Sequence, residues 1–270
     1  LSLRWYGLLV DIGYHVGFRL LRKIFITEGR PVEDADPLLM HVVLGTIIGA
    51  RLGHCLFYEA EYVLSNPLEI FKVWRGGLAS HGAVIGVCFS LWLFSRRKMS
   101  KWGQLGASKK KGKDPGRKLN YPFLWILDRI AIAITFGGAL VRVGNLMNSE
   151  ILGKPTDVPW AVVFSRVDSI ARHPAQLYEA IVCFILFIFT YQIYKRRRED
   201  TPRGLLVGIF FSVGFTMRFF MEYVKENQVA FESGLFLNMG QILSIPLVFV
   251  GIGFILASRK IPLDTPQSSR

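Results

Sequence analysis

Seven apolar runs, at 5–25, 37–58, 78–95, 121–143, 174–194, 204–224 and 237–257, alternate with polar connections along the chain. A helix rising 1.5 Å per residue needs about 20 apolar residues to cross bilayer hydrocarbon. The last run, "QILSIPLVFVGIGFILA", is uninterrupted; the first, "WYGLLVDIGYHVGFRLL", is broken by Asp11, His15 and Arg19. The pattern predicts an all-α polytopic membrane protein of about seven transmembrane helices, forming a single integral membrane domain over 1–270. No internal repeat is visible, which weighs against a transporter assembled from inverted halves.

Charge fixes the expected orientation. The 270 residues carry a formal charge of +13, but Lys and Arg are grouped in loops rather than interleaved with aromatics. Connections 19–36, 96–118 and 195–203 and the tail 259–270 hold 22 of them, against seven on the opposite side. By the positive-inside rule the richer side is cytoplasmic, so the N-terminus lies outside and the C-terminus in the cytoplasm. This distribution argues against nucleic acid as a partner. The basic loop 96–118, with "GASKKKGKDPGRK", reads as a solvated cytoplasmic linker touching anionic membrane lipids. Residues 144–173 read as a small extracytoplasmic cap insertion between helices four and five, with a β-prone "WAVVF". The chain opens on Leu1 rather than methionine, so its natural N-terminus is expected further upstream.

Cys55, Cys88 and Cys183 all lie in apolar runs without CxxC spacing, and read as buried hydrophobes rather than metal or disulfide positions. Gly45, Gly49 and Gly53 recur every four residues, a small-xxx-small pattern for close helix packing in lipid.

Ionisable residues within the spans are costly and point to a site. They are Arg51, Asp128, Arg129, Arg142, Arg218 and Glu222, with His81 near the start of the third span. Arg218 and Glu222 are i,i+4 and able to pair; Arg51 and Arg142 have no evident local partner. On the derived topology Arg51, His81, Arg142 and Arg218 all fall in the outer half of the bilayer. Guanidiniums at headgroup depth suit a phosphate, which they grip bidentately. His81, in "GGLASHGAVIG", is a structural histidine or a proton acceptor, and its glycines would admit a bulky substrate. Gln176 and Glu179, behind Pro174, read as caps of the fifth helix. His15, His41 and His54 read as structural.

The segment "VRVGNLMNSEILG" at 141–153 resembles the signature of bacterial prolipoprotein diacylglyceryl transferases. The blocks "RWYGLL" at 4–9, "GARLGHCLFYE" at 49–59, "NPLEIFKVWRGGLASHG" at 66–82, "RHPAQLYEA" at 172–180, "MRFFMEYVKE" at 217–226 and "NMGQILSIP" at 238–246 agree in order and spacing. The resemblance implies a transferase of the bacterial cytoplasmic (inner) membrane with its active site toward the outer leaflet. It would move the diacylglyceryl group of phosphatidylglycerol to the lipobox cysteine of a prolipoprotein signal peptide, releasing glycerol phosphate, without cofactor or metal. Carried over by motif, the functional positions are Tyr6, His81, Arg142, Asn145, Asn148, Glu150, Gly153, Arg218 and Glu222, and Asp128 matches a further aspartate. Val141 replaces the signature's first glycine, and Lys225 stands where an arginine is common.

The residues suit that chemistry. A thiol reacts as thiolate, so the displacement needs a base and cations on the departing phosphate. Arg142 and Arg218 are the expected phosphate ligands and His81 the expected base, with Asn145 and Asn148 orienting the headgroup or Arg142. Glu150 is open to a second role, holding the cap by pairing with an arginine. Two competitors remain: a phospholipid or anion transporter using buried arginines, and an acyltransferase with a cysteine nucleophile. A transporter would show repeats or broken helices in matching halves, and an acyltransferase a Glu/Lys pattern beside its cysteine; neither is seen.

Overall fold

The computed structural model describes residues 5–57, 59–72, 79–96, 121–226 and 236–260, without the side chains of Ser80 and His81. The tail 261–270, segment 73–78 and the basic loop beyond Arg96 as far as 120 lie outside the described residues.

A helix stands at each of the seven apolar runs. They are α1 (Trp5–Thr27), α2 (Ala35–Phe57), α4 (Ser80–Arg96), α5 (Phe123–Asn148), α6 (Ala175–Arg197), α7 (Leu205–Met221) and α8 (Met239–Ser258), with a short α3 (Ala60–Ser65) between α2 and α4. Four stretches are long and apolar enough to cross a membrane: Val32–Phe57, Phe123–Asn148, Ala175–Asp200 and Met239–Ser258. The other three differ for identifiable reasons. α1 is long but carries Asp11, Arg19, Arg22 and Lys23, while α4 and α7 have only 17 residues each. The protein is thus a mainly α-helical, multi-pass membrane protein. Its apolar side chains point outward as well as inward, Phe249 being 68% and Ile185 60% exposed, as lipid rather than water requires.

Residues 1–28 with 127–270 form one compact unit, and 29–126 another. In the second, α2 and α4 come closest where glycine meets glycine. A Cβ on Gly53 would lie 2.7 Å from Gly82 Cα, and one on Gly86 2.6 Å from Gly49 Cα. The small-xxx-small reading of α2 therefore holds, and α4 answers it with Gly82 and Gly86. This corrects one expectation: the glycine that follows His81 is occupied by a helix backbone. Arg51 also finds partners here. Its guanidinium donates to the carbonyls of Ile70 (3.1 Å) and Glu69 (2.5 Å), pinning the 3-10 turn Pro67–Phe71 to α2.

In the first unit α1 packs on α5 through small residues, Gly13 against Gly137 and Gly17 against Ala133. Leu21, Ile24 and Phe25 continue that face into the core, where Ile24 meets Ile132, Tyr194 and Leu206. Two fully buried charges follow each other on α5, and the first sets α7. Gly204, at its N-cap, has no side chain to offer the first amides, so Asp128 of α5 accepts from Gly204 N (2.7 Å) and Val207 N (2.9 Å). A carboxylate there also meets the positive end of the helix dipole. Arg129, next in sequence, turns to Glu28 (2.9 Å) and the Arg198 carbonyl. Asp128 thus anchors a helix start, which fixes where Arg218 falls on the same helix.

Candidate functional site

The signature segment is helix. The apolar pattern ends α5 near residue 143, whereas α5 runs to Asn148, so Arg142 and Asn145 are i,i+3 neighbours on its surface. The helix closes in a Schellman turn: Ser149 N donates to Leu146 O, and Glu150 N to Asn145 O. Ser149, at φ 57°, holds the left-handed position that glycine usually takes. That turn folds Glu150 back over the helix end, where its carboxylate accepts from Asn145 Nδ2 (2.8 Å) and Asn148 Nδ2 (3.1 Å). Among the described residues Glu150 is therefore held by two amides rather than by the arginine one expectation named.

Arg142 has a partner after all. Its Nε lies 3.0 Å from Glu179 of α6, and its Nη1 3.5 Å from Asn145 Oδ1. Glu179 is not a helix cap: among the described residues no side chain caps α6 at Pro174, and Gln176 instead reaches the Glu150 carbonyl. The other oxygen of Glu179 meets Lys225 Nζ at 3.0 Å, and Lys225 also reaches Glu222 at 3.0 Å. Glu222 in turn faces Arg218 (3.7 Å) and accepts from Asn238 Nδ2 (3.2 Å) at the start of α8. Gly240 makes the room, since a Cβ there would lie 2.5 Å from the Glu222 carboxyl carbon. An unbroken series of polar contacts thus runs from Asn148 through Glu150, Asn145, Arg142, Glu179, Lys225 and Glu222 to Arg218.

The members differ in access. Glu179, Lys225 and Glu222 are buried, their side chains no more than 8% exposed, whereas Arg142 keeps 22% and Arg218 40%. The centre is a closed ion cluster, and the two guanidiniums at its ends face outward. Glu179 and Lys225 are the residues that sequence reasoning missed. Arg218, Glu222 and Lys225 follow i, i+4, i+7 spacing, a face that points to a shared role; nothing local in the sequence announces Glu179.

The cap supplies the remaining geometry. β1 (Val162–Val163), within "WAVVF", pairs antiparallel with β2 (Ala171–Arg172). Residues 152–154 lie against 224–226, through Lys154 N to Val224 O (2.8 Å) and Glu226 N to Leu152 O (3.1 Å). Gly153 sits in that ribbon opposite Lys225, so close to His173 that any Cβ would overlap its carbonyl. Gly153→Ala is expected to break the ribbon and displace Lys225, at a cost of about 3 kcal/mol. Thermal unfolding in detergent, together with turnover, checks it.

Arg172 fastens the cap by donating to Asp168 (2.6 Å), the Gly153 carbonyl and Glu226. The hydrogen bond from Arg172, then that from the Ile170 amide, holds the Asp168 carboxyl below the usual aspartate range. A depressed carboxylate stabilises the fold above its unfolded pKa of about 3.9 and loses that effect only as pH falls through its lower folded value. Protection of the Ile170 amide from hydrogen exchange, corrected for intrinsic rate, should therefore be constant from about pH 5 upward.

Tyr6 completes this unit's share of the expected site, its ring lying on Gly144, where a Cβ would come within 2.8 Å. That is where α1 approaches the signature, three residues beyond Val141. Arg51 and His81 belong to the other unit. Asp128 is engaged at the start of α7 rather than in the chain of contacts. Among the described residues no group of three or more His, Cys, Asp or Glu is placed to hold a metal ion.

A family model described as prolipoprotein diacylglyceryl transferase matches residues 1–108 and 113–257. A protein of Tolumonas auensis, named phosphatidylglycerol–prolipoprotein diacylglyceryl transferase, is 42% identical over 260 residues, covering 96% of this chain and 93% of its own. Proteins of the same name from Chloroherpeton thalassium and Bacteroides fragilis are 42% and 41% identical, over 96% and 94% of this chain and 90% and 88% of their own. With the helices in the expected order, the signature folded into one polar wall and this similarity running nearly end to end, the chain belongs to the prolipoprotein diacylglyceryl transferase family.

Proposed function

We propose that Arg142 and Arg218 grip the phosphate of phosphatidylglycerol while its diacylglyceryl group leaves for a thiol. The transfer itself follows from family membership: the protein moves that group to the lipobox cysteine of a prolipoprotein, in the first step of lipoprotein maturation. The observation that carries the assignment of roles is the difference in access. Both guanidiniums are partly exposed, while the carboxylates and the lysine that hold them are buried.

In the displacement the cysteine S–H gives its proton to a base and the thiolate attacks the glyceryl carbon next to the phosphate. The C–O bond breaks, its electron pair goes to the phosphate oxygen, and a thioether and glycerol phosphate result. The phosphate gains a negative charge as the bond breaks, so cations fixed beside it stabilise the transition state more than the ground state. Asn145 and Asn148 hold Glu150 and with it the edge of the wall, and Tyr6 and Gly153 shape its sides. Arg51 and Asp128 act on substrate only indirectly, through the turn and the helix they fix.

His81 is the base in this reading, since imidazole is the side chain best suited to take up a thiol proton near neutral pH. His81→Asn is expected to lower kcat by about 10²-fold or more; near-native turnover would reassign the base. The chain crosses the bacterial inner membrane seven times, N-terminus outside and C-terminus inside, with the site and the 144–173 cap on the outer side. The Lys and Arg asymmetry of 22 against seven supports that orientation.

The test is direct. Purified protein is incubated with phosphatidylglycerol and a cysteine peptide carrying a lipobox, and the product is read by mass spectrometry. A thioether with equimolar glycerol phosphate is expected. Lipid movement across vesicles without thioether would instead indicate a transporter.

A further inference from the structure

Beside the polar wall lies an apolar surface that phosphate chemistry leaves unused. A groove of about 270 Å³ runs along the end of α5, formed by Met147, Ser149, Phe164, Pro174 and Leu177, with Val163 of β1 at its edge. Met147 and Ser149 flank Asn148, so groove and wall continue into each other along three consecutive residues. Met147 is 47%, Val163 50% and Leu177 39% exposed. Arg166 ties the two sides together by donating to the Met147 carbonyl (3.1 Å).

The edge of the groove is a strand with one side unpaired among the described residues. Thr156 N donates to Ala171 O, so Ala171 turns its peptide groups toward 154–156. Arg172 therefore faces its register partner Val162, and the alternation of strand peptide groups directs the N–H and C=O of Val163 away from β2. Such an edge is a template for one more strand. Among the described residues nothing pairs with these outward peptide groups, which suit a peptide better than lipid tails that supply no hydrogen bonds.

We propose that β1 and this groove bind the part of the prolipoprotein next to its acceptor cysteine, extended and added as a strand to the open edge of β1. The peptide backbone pairs with Val163, and one or two aliphatic side chains enter between Met147 and Leu177. At about 3.3 Å per residue, two or three residues of extended chain carry the thiol from the groove to Asn148 and Glu150. This rests on the reading above, that transfer takes place at the wall ending in Arg142 and Arg218.

The experiment compares Val163→Pro and Leu177→Glu with the unaltered protein, measuring KM separately for the lipobox peptide and for phosphatidylglycerol. Proline removes the outward N–H but leaves the β2 ladder intact. Each variant is expected to raise the peptide KM about tenfold and leave the lipid KM within about twofold. A peptide N-methylated at single backbone positions should lose affinity at one position near the cysteine; this and Leu177→Glu decide the matter if Val163→Pro unfolds. Unchanged peptide KM in both variants overturns the groove while leaving the transferase reading intact. An equal rise in both KM values overturns it in favour of a lipid contact. Absence of thioether from the unaltered protein would strike the underlying reading instead.

Discussion

Arg142→Ala is expected to lower kcat/KM for transfer by about 10²–10³-fold, the scale of removing one donor aimed at developing negative charge. The loss should fall mainly on kcat if Arg142 holds the phosphate as proposed, because the charge there is largest as the C–O bond breaks. Folding should be little affected. Glu179, the buried partner of Arg142, keeps Lys225 at 3.0 Å, so no carboxylate is stranded. Arg142→Lys should lie between the two, since it restores charge without the planar fork. Steady-state kinetics with both substrates varied, beside thermal unfolding, checks this; a fall in Tm matching the loss of activity would make Arg142 a structural residue.

Lys225→Met should do the reverse. Its side chain is 4% exposed, and its ammonium lies 3.0 Å from both Glu179 and Glu222. A methionine of similar length leaves two buried carboxylates sharing one positive charge fewer. Breaking a buried pair costs about 3–5 kcal/mol, and the low end is expected because each glutamate keeps an arginine. Lys225→Arg should recover most of the stability where the longer fork fits. Denaturation of the detergent-solubilised protein reads the effect. If Lys225→Met unfolds like the native protein, the cluster is held by something other than its charges.

The helices were legible because lipid demands long apolar runs, and the seven predicted runs each contain one. The end of α5 was not. Asn145, Asn148 and Ser149 read as a loop, yet helical hydrogen bonding continues through them and stops only where Ser149 turns left-handed. The arginines stood out because charge in an apolar run is conspicuous. The partner of Arg218 was legible at i,i+4, but that of Arg142 was not: Glu179 is 37 residues from Arg142 and 46 from Lys225, and at the start of a helix a glutamate looks like a cap. Asp128 was visible as a buried charge, but its task depends on a glycine 76 residues later that brings no side chain to its own N-cap.

The series of contacts also bears on turnover. Among its described members Arg142, Lys225 and Arg218 balance Glu150, Glu179 and Glu222, so the resting wall carries no net charge. Two unopposed guanidiniums would hold a phosphate dianion tightly and make its departure the slow step. On the proposed reading the same arginines already have carboxylate company, which would compete with the spent phosphate as soon as the bond is broken. A wall that binds phosphate as proposed would let go as well as hold, and glycerol phosphate added to the assay should be a weak inhibitor.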